Sequence, residues 1–471
     1  MKFFGTHTIV AAGALLALTC ARTATAETIS SALARAYSEN PDLNEQRADV
    51  RAHDEDVSGA WAGLRPNANI QANVSTQSSN LKIPIRLPVL NQRVPYTFSD
   101  TYTGYPRGAT LNVSQHVFDG GRTENSVRRA ESGVFESRAL MQLSEQETLR
   151  NGATAFMDVL RDAAILSLRK SNIAVLNLQL HDTQKRYESG DVTNTDIAQS
   201  EASVSHARSD YFAAEAQLKS SSAVYRQIIG VEPKRLEPAS SIERMLPNSV
   251  KEAIDIALLE HPAVVASLHR VDAAESAVKV AEGSLLPTLS VNAQVSQQYD
   301  SFLGLPGSRQ FAAGVGAALN VPLYQGGSEY SSIRKAKEIR EKARLNADAQ
   351  RARIRANVVT SYSLLDTARS QIKSDEATVK AAELALKGVR EEAQAGQRTT
   401  LDVLNAQQTL LNARVNLVIS QRDRVVASYA ALASIGRLNA EALNLNVARY
   451  NPVVHFEQVK DKWFGVSTPD Q

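Results

Sequence analysis

The sequence predicts an α+β membrane protein with an internally duplicated unit, in which four barrel-type strands are combined with long coiled-coil helical hairpins. Three observations lead to this fold class. The same order of segments occurs twice, each copy contains strictly alternating apolar and polar residues, and each copy ends in a long, proline-free, Ala-rich stretch.

The duplication is visible without gaps in the opening segments of the two copies. Residues 31–75 align with residues 252–296 at a constant offset of 221. The Gly-Gly pair at 120–121 recurs at 326–327, where the offset has fallen to 206. The first copy therefore carries 15 additional residues between its two strands. A match of this length and order indicates duplication of a unit of about 200 residues.

The chain divides into five regions on this basis. We expect a signal peptide (1–26), a first repeat (27–230) with strands at about 67–76 and 108–118, a linker (231–247), a second repeat (248–436) with strands at about 287–297 and 311–323, and a C-terminal periplasmic tail (437–471).

The signal peptide is predicted from an apolar run at residues 9–18 and from an A-x-A cleavage site that ends at Ala26. The only cysteine of the chain, Cys20, lies in this segment, so the mature protein is expected to have no thiol. A disulfide, thiol catalysis and a Cys-ligated metal are then excluded.

The charge balance argues against a nucleic-acid partner. The full chain has 52 Lys and Arg against 50 Asp and Glu. Loss of Lys2 and Arg22 with the signal peptide leaves the mature chain formally neutral, whereas nucleic-acid binding requires a basic excess. After the signal peptide there is no apolar run of about 18 residues, so a membrane role would have to use β-strands.

The predicted strands alternate like those of outer-membrane barrels. In residues 67–75 the side chains on one face are Ala, Ile, Ala and Val, and those on the other are Asn and Gln; residues 288–296 repeat this pattern. Residues 109–117 and 313–321 are their predicted partners. Four strands are too few to close a barrel, and an open sheet in lipid would leave backbone groups unpaired. Several chains must therefore combine.

The proline-free stretches predict helical hairpins with tips near Gly190 and Gly396. From the Gly-Gly pair to the first tip is about 69 residues, or about 100 Å of helix. The return helices carry apolar residues at seven-residue steps, which is typical of a coiled-coil seam: Ile197, Val204, Tyr211, Leu218 and Tyr225, then Leu404, Leu411, Val418, Val425 and Leu432. A return helix (about 192–230) and the next opening helix (about 250–283), end to end, match the length of the long arm.

The glycine pairs mark the corners where a strand turns into a long helix. Glycine supplies the dihedral angles that such a bend needs, and the corner residues are Gly120, Gly121, Gly326 and Gly327. The 77–106 segment, with three prolines, is predicted to be an extracellular loop; whether it covers the outer end of the barrel stays open.

At this point the chain resembles the TolC family of outer-membrane efflux and type I secretion proteins. The resemblance is carried by the duplication, by the Glu-Asn-Pro and Glu-His-Pro openings that end at Pro41 and Pro262, by the paired corners, and by the tip segments "RYESGDVTNTDIAQSEA" and "EEAQAGQRTTLDVLNAQQTLLNAR". The tail "ARYNPVVHFEQVKDKWFG" is similar to that of α-proteobacterial secretion-type members.

The resemblance implies a homotrimer with one twelve-stranded barrel in outer-membrane lipid and an α-helical tunnel across the periplasm. Such proteins are passive exit ducts rather than enzymes. They dock through a periplasmic adaptor (a membrane fusion protein) to an inner-membrane ABC or RND pump and open when their helix tips are engaged.

The resemblance also implies gate residues at the hairpin tips. Thr195, Asp196 and Arg398 match positions that lock the closed state. Asp402 matches an acidic ring at the constriction, whereas Asn405 stands at the second ring position.

The tip segments depart from the family pattern in a further place. Ala393 replaces the tyrosine of the lock, while Tyr187 occupies the equivalent place in the first copy. Gly190 and Gly396 are expected to form the turns and to serve in adaptor docking. For Asp196 and Asp402, simple stabilisation of a helix N-terminus, with Thr193 and Thr399 as caps, stays open as the alternative.

Other functions find little support in the sequence. The eight histidines show no metal-ligand spacing, the glycine pairs lack the Lys-Ser or Lys-Thr of a phosphate loop, and no cofactor is implied. The alternative to a channel is a trimeric coiled-coil spacer or surface fibre. A spacer would not need four alternating strands, and a fibre would carry one continuous heptad stalk.

Overall fold

The structure is a computed structural model that describes residues 26–89, 92–301 and 307–469. Cys20 and the expected signal peptide, except its last residue, lie outside the described residues. The first repeat contains α1 (Ile29–Glu39), α2 (Pro41–Trp61), β1 (Asn67–Val74), β2 (Gln77–Val89), β3 (Gln92–Gly104), β4 (Arg107–Phe118), α3 (Arg122–Glu188) and α4 (Asn194–Ile229). The second contains α5 (Val250–Glu260), α6 (Pro262–Glu282), β5 (Thr288–Tyr299), β6 (Arg309–Asn320), α7 (Ser328–Gln394) and α8 (Thr400–Ser434), and the tail contains α9 (Pro452–Val459).

The opening helix of each repeat is broken at a proline. The expected single helix at about 250–283 is wrong, because α5 ends at Glu260 and α6 begins at Pro262. Proline disfavours helical dihedrals in the residue before it, and His261 accordingly has ψ 125°. The His261 ring accepts a hydrogen bond from the Ala263 amide at 3.1 Å. Asn40 caps α2 in the same way in the first repeat.

The main sheet is antiparallel with the strand order β1-β4-β5-β6. Its register places the apolar residues of all four strands on one face: Ala68 is opposite Val113, Val113 is opposite Ala293, and Ala293 is opposite Val315. Asn69, Asn112 and Gln294 are aligned on the other face in the same way. One face of the sheet is therefore apolar and the opposite face is rich in amides.

The outer edges of β1 and β6 have no partner strand among the described residues. The expected loop at 77–106 is also wrong, because these residues form a separate two-stranded ribbon, β2–β3, that pairs only with itself there. Prolines are tolerated in a two-stranded ribbon, since each strand has one edge whose N–H groups need no partner. The 15 additional residues of the first copy extend this ribbon.

The glycine corners have the dihedral angles that the sequence predicted. Gly120 and Gly121 both have φ 73°, and Gly326 and Gly327 have φ 71° and 87°. α3 and α7 begin directly after them, and each is 67 residues long, which corresponds to about 100 Å. Within the described ranges, no helix combines the length and apolar composition needed to cross a lipid bilayer.

The two repeats fold alike and share a core. α3 packs along both α4 and α6, and α7 packs along both α8 and α6. The largest buried cluster draws side chains from both repeats, among them Phe156, Tyr225, Tyr362 and Tyr429. The end of each repeat also contacts its own beginning: Gly230 lies against Glu39, and Gly436 lies against His261.

Candidate gate at the hairpin tips

Each hairpin turns at a glycine with a left-handed backbone. Gly190, with φ 83°, follows α3, and Gly396, with φ 77°, follows α7. The turns make the same hydrogen bonds, since the Asp191 amide donates to the Arg186 carbonyl at 2.8 Å and the Gln397 amide donates to the Glu392 carbonyl at 2.9 Å. These bonds satisfy carbonyls at the helix ends, as in other glycine-terminated helices. Within the described part of the chain, no heavy atom beyond the adjoining residues would lie within 4 Å of a Cβ at either glycine.

The return helices start with matching capping boxes. Asp196 accepts bonds from the Thr193 amide at 2.9 Å and the Thr193 hydroxyl at 2.7 Å. Asp402 accepts bonds from the Thr399 amide at 3.0 Å and hydroxyl at 2.8 Å. Hydrogen bonds from Thr193 lower the pKa of Asp196, and those from Thr399 lower the pKa of Asp402. Both carboxylates are therefore charged at neutral pH and stabilise helix N-termini.

Arg398 lies at the tip of the second hairpin and pairs within it. Its Nε is 2.9 Å from Glu392 Oε2, and both side chains are about half exposed. Among the described residues of one chain, Arg398 thus forms its ion pair with Glu392 and not with Asp196. Such exposed pairs are screened by solvent and contribute little to stability. Arg398 also helps to lower the pKa of Asp402, after the hydrogen bonds from Thr399.

The two tips lie next to each other. After the bonds from Thr193, the nearby Thr400 side chain lowers the pKa of Asp196 further. Asp196 therefore faces a residue two positions beyond Arg398. Thr195 is exposed at the start of α4, and Asn405 is exposed and lines a groove between the hairpins together with His206 and Leu404.

The departure from the family pattern at residue 393 has a structural consequence. Ala393 is 6% exposed and has no hydrogen-bonding group, while Tyr187 at the equivalent place is 47% exposed. A hydrogen-bonded lock cannot be built on Ala393. Farther from the tips, the two hairpins are in apolar contact where Leu176, Val204 and Leu404 are buried together.

Three residues with distinctive contacts, two at the tips and one in the linker, were not predicted from the sequence. Thr400 is buried beside Asp196, and Glu392 is the partner of Arg398. Glu392 and Arg398 carry opposite charges on the two sides of the turn at Gly396, and this pattern could have predicted their ion pair.

The third missed residue, Glu243 in the linker, binds both helices of the second hairpin: its carboxylate lies 2.7 Å from Arg424 and 2.7 Å from Arg369. Burial acts to raise the pKa of Glu243, but hydrogen bonds from Arg424, Ser241 and Arg369 lower it to about 2.

The family model described as "Outer membrane efflux protein" matches residues 32–231 and 253–437 of this chain. The chain belongs to the outer membrane efflux protein family. It is 39% identical to the outer membrane efflux protein BepC of Brucella suis, over 98% of this chain and 97% of BepC. It is 23% identical to the outer membrane protein TolC of Escherichia coli, over 91% of this chain and 86% of TolC.

Solved structures of outer-membrane channels have the same fold as this family member. CusC superposes with a TM-score of 0.73 at 16% identity, with 88% of this chain and 92% of CusC covered. The CmeC outer membrane channel of Campylobacter jejuni gives a TM-score of 0.72 at 15% identity, with 92% and 89% covered. The predicted resemblance, fold class and outer-membrane location are confirmed. The chain is an outer-membrane efflux and secretion channel subunit of a transport family, which favours the channel over the coiled-coil spacer.

Proposed function

We propose that three copies of the chain form one twelve-stranded barrel in outer-membrane lipid, continued by a periplasmic tunnel of helices. The observation that carries this proposal is the sheet β1-β4-β5-β6, which has one apolar face and two unpaired outer edges among the described residues. Backbone groups at open edges must be paired in lipid. Three such sheets, joined edge to edge in a ring, give the backbone N–H and C=O groups of every strand a partner.

The duct is passive and has no enzymatic activity of its own. A periplasmic adaptor and an inner-membrane ABC or RND pump engage the hairpin tips near Gly190 and Gly396 and open the tunnel. The cargo is that of a type I secretion or multidrug efflux system. The names of the relatives support both, since BepC is an efflux protein and AprF of Pseudomonas aeruginosa, 24% identical over 73% of this chain, is an alkaline protease secretion protein.

The tips form the gate in this proposal. Asp402 and Asn405 line the constriction, and Thr195, Asp196 and Arg398 hold neighbouring hairpins together in the closed state. The capping bonds fix Asp196 and Asp402 in position and keep them charged, as a gate requires, but a helix cap alone would look the same. The cation selectivity of Asp402→Ala decides between the two roles. Three carboxylates around one axis attract cations and repel anions.

Single-channel conductance in planar bilayers tests the duct and its gate. The wild-type protein is compared with Arg398→Ser and Asp402→Ala, and with Arg414→Ser as a matched control, since Arg414 pairs with Glu383 on the same hairpin away from the tip. We expect a small cation-selective current that rises in Arg398→Ser, loses cation preference in Asp402→Ala, and is unchanged in Arg414→Ser.

Two results would contradict parts of this proposal. A conductance that changes in neither tip variant would place the gate at other residues. The absence of any pore from properly trimeric protein would rule out the duct itself.

A further inference from the structure

We infer that the duplication fixes how one copy joins the next: β6 pairs with β1 of the neighbouring copy so that Leu319 lies opposite the partner's Ala72, and Lys342 forms an ion pair with the partner's Asp49. The inference rests on the proposed trimer. It adds the register and the contacts, which the open edges alone do not determine.

The two sequence offsets hold in three dimensions in the sheet. In the first repeat Ala68 is opposite Val113, and in the second Leu289 is opposite Leu319. The step from β1 to β5 is 221 and the step from β4 to β6 is 206, as in the sequence.

The helices obey the same offsets. Arg138 lies 3.6 Å from Asp54, and the equivalent residues Arg344 and Glu275 form an ion pair at 2.6 Å. Each repeat therefore places equivalent residues at equivalent sites in both the sheet and the helical layer.

The junction between the repeats then serves as a template for the junction between copies. Within the chain, β4 joins β5 with Val113 opposite Ala293 and Leu111 opposite Val295. Adding 206 to a β4 residue gives its equivalent in β6, and subtracting 221 from a β5 residue gives its equivalent in β1. The first pair therefore becomes Leu319 opposite the partner's Ala72, and the second becomes Ala317 opposite the partner's Val74.

This register matches the faces of both strands. All four residues lie on the apolar face of the sheet. A shift by one residue would set Leu319 opposite the amide side of β1, because side chains alternate between faces.

The helical layer gives an independent check from charge. Glu136 on α3 and Arg270 on α6 form an ion pair across the junction of the repeats. The offsets convert Glu136 into Lys342 and Arg270 into Asp49, so both signs reverse and the attraction is retained. Lys342 is exposed and forms no ion pair with any residue that the structure describes, and Asp49 is 48% exposed and only 3.8 Å from the His53 ring.

Cysteine pairs test the register in the full-length protein. Leu319→Cys with Ala72→Cys is compared with Leu319→Cys with Asn73→Cys, after oxidation or treatment with a short bifunctional thiol reagent. We expect the first pair to give covalently linked trimers on denaturing, non-reducing gels and the second pair at least tenfold less. Trimers that link equally or better through Asn73 would overturn the register while leaving the proposed trimer intact. Native trimers that link through neither pair would also overturn the register. Absence of trimers from every variant and from the wild type in native electrophoresis would overturn both the register and the trimer.

Charge reversal tests the ion pair. Lys342→Glu and Asp49→Lys should each lower the temperature at which the trimer dissociates, and the double variant should recover most of the loss. Lys380→Glu, an exposed change on the same helix far from the junction, is the control and should have no effect. A double variant no more stable than the worse single variant would overturn the pairing.

The C-terminal tail carries a second, independent surface, since it has no counterpart in the first repeat. The tail is fastened to the end of α2: the Lys462 carbonyl accepts bonds from Ser58 at 2.7 Å and from Arg65 at 2.8 Å, and His455 pairs with the buried Asp54 at 2.9 Å. Arg65 also stacks on the Trp463 ring at 5.1 Å. These contacts hold the tail at the level where helices give way to strands.

Just beyond these contacts the tail presents apolar side chains to its surroundings. Trp463 is 63% exposed, Phe464 is 89% exposed and Val466 is fully exposed. Phe118 and Leu319, at the same ends of the strands, are exposed on the apolar face of the sheet. Lys460 and Lys462 precede the aromatic pair, and tryptophan beside basic residues is a composition that favours a membrane–water interface. The geometry points to segment 460–466 as an anchor in the headgroup region of the periplasmic leaflet.

Tryptophan fluorescence tests this anchor directly, because the chain has only two tryptophans, Trp61 and Trp463. Trp61→Phe leaves Trp463 as the sole reporter in full-length protein in phospholipid nanodiscs. We expect quenching by lipids that carry a doxyl group near the headgroup to exceed quenching by lipids labelled at the chain end or by aqueous acrylamide. Dominant quenching by acrylamide would overturn the anchor, as would protection from all three, which would indicate coverage by another copy. Adding Phe464→Ser and Val466→Ser should reduce the lipid quenching at least twofold.

Discussion

Each repeat ends at a glycine that contacts the beginning of the same repeat, and the two glycines differ in how much space surrounds them. Gly436 and Gly230 are equivalent positions, and both end a long helix with a left-handed backbone, at φ 86° and 89°. A Cβ on Gly436 would lie 2.7 Å from the His261 Cα and 3.2 Å from its backbone nitrogen. A Cβ on Gly230 would meet only the end of the Glu39 side chain, at 3.2 Å. We predict that Gly436→Ala destabilises the protein much more than Gly230→Ala.

The magnitude follows from two contributions. Both substitutions place alanine in a left-handed conformation, which costs about 1–2 kcal/mol. Only at position 436 must backbone also move, because the nearest atoms belong to the main chain of His261, and overpacking of this kind costs about 1–3 kcal/mol. The gain from a less flexible unfolded chain is common to both variants. The difference between them is therefore about 1–3 kcal/mol.

Thermal unfolding of the detergent-solubilised protein, followed by intrinsic fluorescence, gives the rank order of wild type, Gly230→Ala and Gly436→Ala. We expect Gly230→Ala to unfold slightly below wild type and Gly436→Ala clearly below both. Equal unfolding temperatures for the two variants would refute the steric argument and leave only the strain of the left-handed residue.

Three further predictions concern titration and capping. The pKa of Glu243 is lowered from 4.5 to about 2, so its ionised form adds about 3 kcal/mol to the free energy of unfolding above pH 4.5. Glu243→Gln should lose this stability. In unfolding curves, the difference in stability between this variant and the wild type should shrink as the pH falls from 4.5 to 2. Burial lowers the pKa of His261 from 6.5 to about 4, so the fold disfavours its protonation and stability should fall as pH drops from 6.5 to 4; His261→Asn, which copies Asn40, should flatten that fall. Thr399→Val should cost about 1 kcal/mol of capping and speed hydrogen exchange in the first turn of α8, whereas an unchanged exchange rate would contradict the capping role.

The sequence predicted those elements whose signal is periodic. The alternation of β1, β4, β5 and β6, the proline-free helices α3 and α7, and the glycine corners each repeat a local rule that tertiary packing does not override. The ribbon β2–β3 was missed because Pro84, Pro88 and Pro95 indicate a loop when the strand is assumed to be central. In a ribbon of two strands, the backbone N–H that each proline lacks is not needed on the edge that has no partner strand.

The tip was only partly predictable for a different reason. The capping roles of Thr193 and Thr399 depend on neighbours three residues away, so sequence alone identified them. The pairing of Arg398 with Glu392 and the contact of Asp196 with Thr400 depend on how the chain folds back and how the two hairpins lie together. Residue identity cannot specify those contacts without the geometry.

The contact of Gly230 with Glu39, and of Gly436 with His261, gives each repeat an end that is fastened to its own beginning. A unit that closes on itself in this way can complete its helical layer with any equivalent unit beside it, and inside the chain that unit is its twin. Because the junction inside the chain and the inferred junction between chains use equivalent residues, six single units would present the same twelve strands as three double ones. Joining units in pairs changes something else: it lets alternate positions around the ring diverge, so that one carries the extended ribbon and Asp196 while the next carries Arg398 and Asp402.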